Sequence, residues 1–136
     1  MISTIVVGVN EEDSDATRWA GERAAELGAQ VVAVFVVRPI TEFLLTIPPL
    51  PSQMAPRMAE MLERDWCKPL RSTGVRYRSY VVENDPANGL VAAAEQENAD
   101  MLVLGARSRG GIADRLLGSV TYKVAHRAHC PVVIVR

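Results

Sequence analysis

The stretch that decides the fold is residues 101–119, MLVLGARSRGGIADRLLGS. Its first four residues form an apolar run, which is typical of a strand buried on both faces of a parallel sheet. A glycine-rich basic loop follows from Gly105, and Gly118 and Ser119 then open an apolar helical pattern. Glycines allow close backbone approach, and a helix N-terminus offers N–H groups and a favourable dipole to an anion. The segment therefore predicts a phosphate-binding strand–loop–helix unit.

Positive charge is concentrated in this loop rather than spread over the chain. The loop carries Arg107, Arg109 and Arg115, whereas the whole chain has a formal net charge of −1. A nearly neutral chain has no global field that would recruit nucleic acid or an anionic membrane. We therefore expect neither partner, and the three arginines favour a local anion such as phosphate.

Length and composition are typical of one globular domain, which we expect to span residues 1–136. The chain is 49% hydrophobic and 23% charged. No apolar run approaches the ~20 residues of a spanning helix, and residues 1–4 lack the basic region of a signal peptide. Cys67 and Cys130 lack metal-ligand spacing, and a disulfide between them would be unusual in a reducing compartment. We expect a cytoplasmic protein.

Apolar runs alternate with helical patterns along the chain. The apolar runs at residues 5–9, 31–37 and 132–135 predict three further strands, and the alternating residues 75–82 predict a half-exposed strand at a sheet edge. Apolar residues at helical spacing lie between successive predicted strands, which gives the order βαβαβαβαβ. The sequence therefore predicts an α/β fold, an open doubly wound five-stranded parallel sheet of order 3-2-1-4-5 with helices on both faces.

The helix ends carry signals of their own. Gly28 is placed to end the first helix, and Asp85 and Pro86 are placed to cap and begin a later one. Ser119 is expected to cap the last helix. The first helix repeats apolar residues at helical spacing, which predicts a buried face made of Ala16, Trp19, Ala20, Ala24 and Leu27.

Residues 38–56 differ in character from the rest of the chain. They hold five of the eight prolines, which argues against a regular helix or a central strand through much of the segment. Apolar side chains between Phe43 and Leu50 make it too hydrophobic for a linker. Two interpretations stay open: a long ordered loop over apolar surface, or an exposed patch that binds an unknown protein partner. The apolar spacing of residues 54–66 then predicts a helix that Pro69 kinks or frays.

In a sheet of this kind the ligand lies beyond the carboxyl ends of the strands, where the strand order reverses. Strands 1 and 4 should flank that point. Gly8, Val9 and Asn10 end strand 1, Val36 ends strand 2, and the Gly105 loop follows strand 4. We expect a nucleotide there, with its base near strands 1 and 2 and its phosphates on the loop and the last helix. The first strand–helix turn is not G-x-G-x-x-G, and no P-loop motif occurs.

The residues that carry this prediction resemble a known family. The spacing Gly105-x2-Ser108-x9-Gly118-Ser119 is similar to the G-x2-G-x9-G-[S/T] nucleotide motif of the universal stress proteins. Asn84-Asp85-Pro86-Ala87 and the closing residues HCPVVIV, 129–135, also resemble segments of that family. The resemblance covers the whole chain. It implies a single-domain universal stress protein that binds ATP and forms a homodimer through its last strand.

The crevice and the resemblance together define a set of expected site residues. We expect nucleotide contacts from Gly8, Val9, Asn10, Val36, Gly105, Ala106, Arg107, Ser108, Arg109, Gly110, Gly111, Gly118, Ser119, Val120 and Thr121. Two of them depart from the family pattern, because Ser108 stands in place of a glycine and Asn10 in place of the usual aspartate.

The last strand predicts a dimer on physical grounds as well. Val132, Val133, Ile134 and Val135 are β-branched and uncharged, and no element follows to cover them. At a sheet edge they would leave unpaired backbone groups, which invite pairing with another chain. Two-fold pairing of this strand with its symmetry mate would close the edge.

Three functions are open from the sequence. The first is a non-catalytic, ATP-binding dimeric regulator of a stress response. The second is a nucleotide-independent interaction module that has lost ATP binding and uses the hydrophobic loop. The third is an enzyme, for which Asp13 or Asp114 could assist Mg²⁺, although His126 lies too far along the helix to activate Ser119. We expect no catalytic residue and no resident metal, because His126, His129 and Cys130 are interpreted as a solvated helix end.

Overall fold

The computed structural model describes residues 1–12, 14–38, 51–106 and 118–136. Five strands and five α-helices alternate along these residues, with one π-helical segment, Leu62–Trp66, after the second helix. Their bounds, in chain order, are β1 Thr4–Gly8, α1 Asp15–Leu27, β2 Gln30–Val37, α2 Pro51–Met61, α3 Lys68–Thr73, β3 Tyr77–Glu83, α4 Pro86–Gln96, β4 Met101–Gly105, α5 Ser119–Arg127 and β5 Val132–Val135.

All the strands of the sheet pair in parallel, in the order β3-β2-β1-β4-β5. Central β1 has neighbours on both sides, so Val6 lies between Val32 and Leu102. The fold class and the strand order expected from the sequence are confirmed. Because the order reverses between β1 and β4, the carboxyl ends of these two strands flank a crevice.

Side chains alternate between two apolar layers, one on each face of the sheet. One layer joins the sheet to α1 and α3 through Ile5, Val7 and Leu70, all fully buried. The other joins it to α4 and α5 through Val6, Leu102 and Val124. Central strands are covered on both faces, which explains why their sequences are continuously apolar.

Most of the predicted helix ends are confirmed, and two local predictions are wrong. Gly28 ends α1 in the left-handed region at φ 69°, and the Asp85 carboxylate accepts a hydrogen bond from the Asn88 N–H at 3.1 Å. Leu27, expected on the buried face of α1, is 47% exposed because the helix ends there. Ser119 is the first helical residue of α5, and its cap is Gly118.

The proline-rich region corrects the sequence prediction in two places. Helix α2 begins at Pro51 and includes Pro56, so helix starts earlier than the prolines indicated. A proline that opens a helix lacks only an N–H that would have had no partner. Pro69 lies in the first turn of α3 and starts that helix, whereas the break in the preceding helix is the π-helical segment. Residues 43–50, the predicted partner-binding loop, lie outside the described residues.

Edge strand β3 is half exposed, as predicted, and a glutamate holds it on each face. On one face Tyr77 donates to Glu63 at 2.6 Å, and Ser79 donates to the other carboxylate oxygen at 3.0 Å. On the other face Glu97 accepts from Tyr80 at 3.3 Å and also pairs with Arg78. These contacts fasten the edge strand to the π-helical segment and to the end of α4.

Candidate nucleotide site at the carboxyl ends of β1 and β4

The end of β4 is joined to both of its chain neighbours. The Ala106 N–H donates to the Val135 carbonyl at 2.8 Å, which extends the β4–β5 ladder by one residue. The Thr121 hydroxyl donates to the Gly105 carbonyl at 3.3 Å. Thr121 is only 5% exposed, so this is a buried contact between the first turn of α5 and the last residue of β4. It holds the N-terminus of α5 at the crevice.

That N-terminus has the geometry of an anion-binding end. Gly118 caps α5 with φ −58° and ψ 156°, and no side chain accepts from the first turn of the helix among the residues described. The first backbone hydrogen bond of the helix runs from the Tyr122 N–H to the Gly118 carbonyl at 3.0 Å. The N–H groups before Tyr122 are the ones that a helix leaves without internal partners, and they favour negative charge.

The surroundings of Gly105 are open as far as the structure describes them. Among the described residues, a Cβ built on Gly105 would meet only the Ala16 Cβ, at 4.0 Å. Ala16 belongs to the first turn of α1, so two helix starts approach the end of β4. Small side chains at both positions leave room for a ligand atom next to the backbone.

Gly8 and Val9 at the end of β1 are used for packing. A Cβ on Gly8 would lie 3.0 Å from side-chain carbons of both Leu90 and Leu104, so a larger residue would force these leucines to shift. Val9 is 8% exposed, and its N–H donates to the Val34 carbonyl at 2.9 Å. These two residues therefore form the floor of the crevice.

Asn10, the next residue, is half-buried and polar. Its Oδ1 accepts from the Glu12 N–H at 2.9 Å, which closes a short turn at the end of the strand. Asn10 is thus the first side chain after β1 that could offer a polar group to a ligand.

Two of the expected contact residues have side chains that point into the apolar layer. A Cβ on Gly89 of α4 would lie 2.8 Å from Val36 Cγ1, so the Val36 side chain packs against that helix. Val120 packs against the same layer. Both side chains cover the α4 face, so a ligand contact from either residue would come from its backbone atoms.

The loop part of the expected site lies outside the described residues. This holds for Arg107, Ser108, Arg109, Gly110 and Gly111, and for the Mg²⁺ candidates Asp13 and Asp114. Among the expected residues within the described ranges, Gly105, Ala106, Gly118, Ser119 and Thr121 come together at the β4–α5 junction, and Gly8, Val9 and Asn10 lie at the end of the neighbouring strand.

The histidines near the end of α5 contact different groups. The His126 ring lies 4.4 Å from the Tyr122 ring, and His129 Nε2 lies 3.1 Å from Glu95 Oε1. Within the described ranges, no group of three His, Cys, Asp or Glu side chains could hold a metal ion.

The buried thiol of Cys67 is a poor nucleophile. Burial is the main cause that raises its pKa to about 11.

Two residues at this junction carry no motif signal of their own. Ala16 was expected only as part of a buried helix face, and Thr121 was expected only as a ligand contact. Their places beside Gly105 come from the packing of α1 and α5. In the sequence, this arrangement is indicated only by the small size of Ala16 in the first turn of α1.

Comparison with known proteins identifies the family. The sequence model described as the Universal stress protein family matches residues 1–136. A universal stress protein of Methanocaldococcus jannaschii is 32% identical over 130 residues, covering 90% of this chain and 74% of the relative. One of Thermus aquaticus is 31% identical over 140 residues, with all of both chains covered.

A solved structure agrees with the sequence relatives. A crystal structure of a universal stress protein in complex with cAMP is 30% identical, with a TM-score of 0.74, and covers 99% of this chain and 97% of the other. The family model, the sequence relatives and the solved structure agree along the whole chain. This chain belongs to the universal stress protein family.

Proposed function

We propose that this chain is a non-catalytic regulator that binds an adenine nucleotide and works as a homodimer. The observation that carries the proposal is the β4–α5 junction, where the N-terminus of α5 is fixed beside Gly105 and, among the described residues, no side chain caps the helix or fills the space at Gly105. A fixed helix start next to free space is suited to a phosphate group.

The remaining site residues supply the rest of a nucleotide site. The N–H groups of Ser119, Val120 and Thr121 would donate hydrogen bonds to the phosphate oxygens, and the loop arginines would add charge. Asn10 and the end of β2 lie on the other side of Gly105 in strand order, so they would face the nucleoside. ATP, with Mg²⁺, is the nucleotide that the glycine motif favours in this family. The cAMP-bound relative supports an adenine ligand for this fold.

The dimer would form through β5. This strand is at the end of the sheet, and its hydrogen-bonded partner within the described residues is β4 alone. All four residues of the strand are half-buried in a single chain. An uncharged β-branched edge of this kind pairs readily with a second copy.

Catalysis has little support in the described residues. Ser119 is exposed at the start of α5, and His126 lies two turns further along the helix, where its ring is tilted against the Tyr122 ring. A serine nucleophile needs a base within hydrogen-bond reach. We therefore assign regulation to binding itself, because a ligand that orders one conformation changes what the protein presents to its partners.

Isothermal titration of ATP with Mg²⁺ tests the proposal. We expect saturable binding in the micromolar range, equivalent to about −8 kcal/mol. Gly118→Arg should abolish binding because its side chain fills the phosphate position. The control is Tyr122→Arg, which puts the same side chain on an exposed position one turn along α5. Absence of binding by the wild type at millimolar ATP would contradict the proposal and favour the nucleotide-independent interaction module.

A further inference from the structure

The helices between β2 and β3 change their hydrogen-bond register in the π-helical segment Leu62–Trp66. In a continuous α-helix the Cys67 N–H would donate to the Glu63 carbonyl, four residues back. Here the Cys67 N–H donates to the Leu62 carbonyl at 2.9 Å, five residues back. The Glu63 carbonyl therefore loses the donor that an α-helix would give it.

A proline deprives the next carbonyl of a donor in the π register. That register pairs each carbonyl with the N–H five residues further on, which for Arg64 is residue 69. Residue 69 is Pro69, and a proline has no N–H to donate. Because a backbone carbonyl without a partner weakens a helix, the π register is favoured by any donor that comes from outside the helix backbone.

The Arg71 guanidinium is such a donor. Its Nη2 donates to the Arg64 carbonyl at 2.6 Å, and its Nη1 donates to the Glu63 carbonyl. Nη1 also donates to the Tyr77 hydroxyl at 3.3 Å, and that hydroxyl donates to the Glu63 carboxylate at 2.6 Å. Edge strand β3 thus helps to hold the guanidinium over the π-helical segment. The Arg71 side chain is 40% exposed, so this arrangement lies at the surface.

A second register is open to the same residues. If the segment became α-helical, the N–H groups of residues 67 and 68 would donate to the Glu63 and Arg64 carbonyls. The Asp65 carbonyl would then be the one that faces Pro69 and lacks a donor. Each register leaves the backbone incomplete, and the Arg71 guanidinium completes only the π form. The two registers differ by one residue, which turns α2 by about 100° relative to α3.

We propose that residues 62–66 are a register switch, held in the π form by Arg71 and converted to the α form when the guanidinium leaves. The turn of α2 changes which of its side chains face solvent. In the π form Met58 is half-buried, whereas Arg57 and Glu60 are exposed. Register shifts of helices take microseconds to milliseconds, and π-helical turns are frequent at functional sites. The switch is independent of the nucleotide site and goes beyond the proposed function.

NMR spectroscopy of the full chain without ligand reads the register directly. Scalar coupling across the hydrogen bond identifies the carbonyl that accepts the Cys67 N–H, which is Leu62 in the π form and Glu63 in the α form. Arg71→Met keeps the apolar stem of the side chain and removes the donors. We expect the coupling to move from Leu62 to Glu63 in this variant. Hydrogen exchange of the Lys68 amide, which opens α3 in the π form, should slow about fivefold or more.

Two further variants make the result specific. Arg76→Met removes another exposed arginine near the start of β3 and should leave the segment in the π form. Arg71→Met combined with Pro69→Ala gives every carbonyl of the α form a backbone donor, so the conversion should be complete.

Three results would overturn the inference, and none of them depends on nucleotide binding. Coupling of the Cys67 N–H to Glu63 in the wild type would show that the π form is not the resting state. Coupling to Leu62 that is unchanged in Arg71→Met would show that the guanidinium does not hold the register. Loss of exchange protection at Cys67 without coupling to Glu63 would show that the segment unfolds instead of changing register.

Discussion

The Thr121 hydroxyl and the Gly105 carbonyl, 3.3 Å apart, join the start of α5 to the end of β4. Gly105 is the first glycine of the family motif, and Thr121 lies two residues after its last position. One buried hydrogen bond thus sets the distance between the two halves of a motif that are separated by a long loop. The consequence is that the helix start is in place before a ligand arrives.

Thr121→Val tests this role. The variant keeps the shape and removes the donor, so we expect a loss of about 1 kcal/mol in the free energy of unfolding, measured with urea. Nucleotide affinity should fall several-fold, because the helix start is less firmly held. Thr121→Ser is the control, since it retains the hydroxyl. Full nucleotide affinity in Thr121→Val would show that the helix start is held by packing alone.

Two glycines of the candidate site should respond differently to alanine. Within the described part of the chain, a Cβ on Gly105 meets only the Ala16 Cβ at 4.0 Å, whereas one on Gly8 lies 3.0 Å from two buried leucines. Gly105→Ala should change unfolding free energy by less than about 0.5 kcal/mol but weaken nucleotide binding at least tenfold. Gly8→Ala should cost about 1–3 kcal/mol through overpacking. The measurements are urea unfolding and nucleotide titration, and equal stability losses in both variants would contradict the assignment.

The dimer can be tested at Ile134. Val133 and Val135 pack against one apolar layer of the core and Val132 against the other, whereas Ile134 belongs to neither layer among the residues that the structure describes. Ile134→Lys should therefore convert a dimer to a folded monomer in analytical ultracentrifugation. Tyr122→Lys, on an exposed position of α5, is the control for added charge. Wild-type protein that is already monomeric at tens of micromolar would refute pairing through β5.

The two cysteines should differ in reactivity. Cys67 is fully buried with a pKa of about 11, and Cys130 is half-buried with a pKa that burial also raises. Near pH 8 only about one Cys67 thiol in a thousand would be thiolate. Iodoacetamide should label Cys130 before Cys67 in the native protein, and both in urea, as read by mass spectrometry. Rapid labelling of Cys67 in the native protein would show that the residues packed over it open readily.

Acid sensitivity should depend on Asp100. Its Oδ2 accepts from the N–H of Ser3, and also from the N–H of Thr4 and the Ser3 hydroxyl, and these hydrogen bonds lower its pKa below 3.8. The ionised group therefore stabilises the fold above that pH, and its contribution is lost as pH falls through the lowered value. Asp100→Asn should lower Tm at neutral pH, with a difference from wild type that shrinks in acid. A difference independent of pH would contradict this role.

The sequence alone determined the fold, because each of its signals is local. A strand covered on both faces must be apolar at successive positions, as residues 5–7 and 31–34 are, whereas edge strand β3 has only half-buried and exposed residues. Gly28 and Asp85 mark helix ends because left-handed backbone and an N-cap carboxylate are properties of single residues. The glycine motif indicated the end of β4 and the start of α5 because its glycines are also local signals.

Only the tertiary structure decided which neighbour occupies each space. Val36 lies near the end of β2, as expected, yet its side chain packs against Gly89 of α4. Ala16 reaches Gly105, and Thr121 turns its hydroxyl to a carbonyl rather than to the crevice. Residue patterns indicate how deeply a position is buried and which local backbone conformation it adopts. They do not report which distant residue fills the remaining volume, because that depends on how separately formed helices pack against a common sheet.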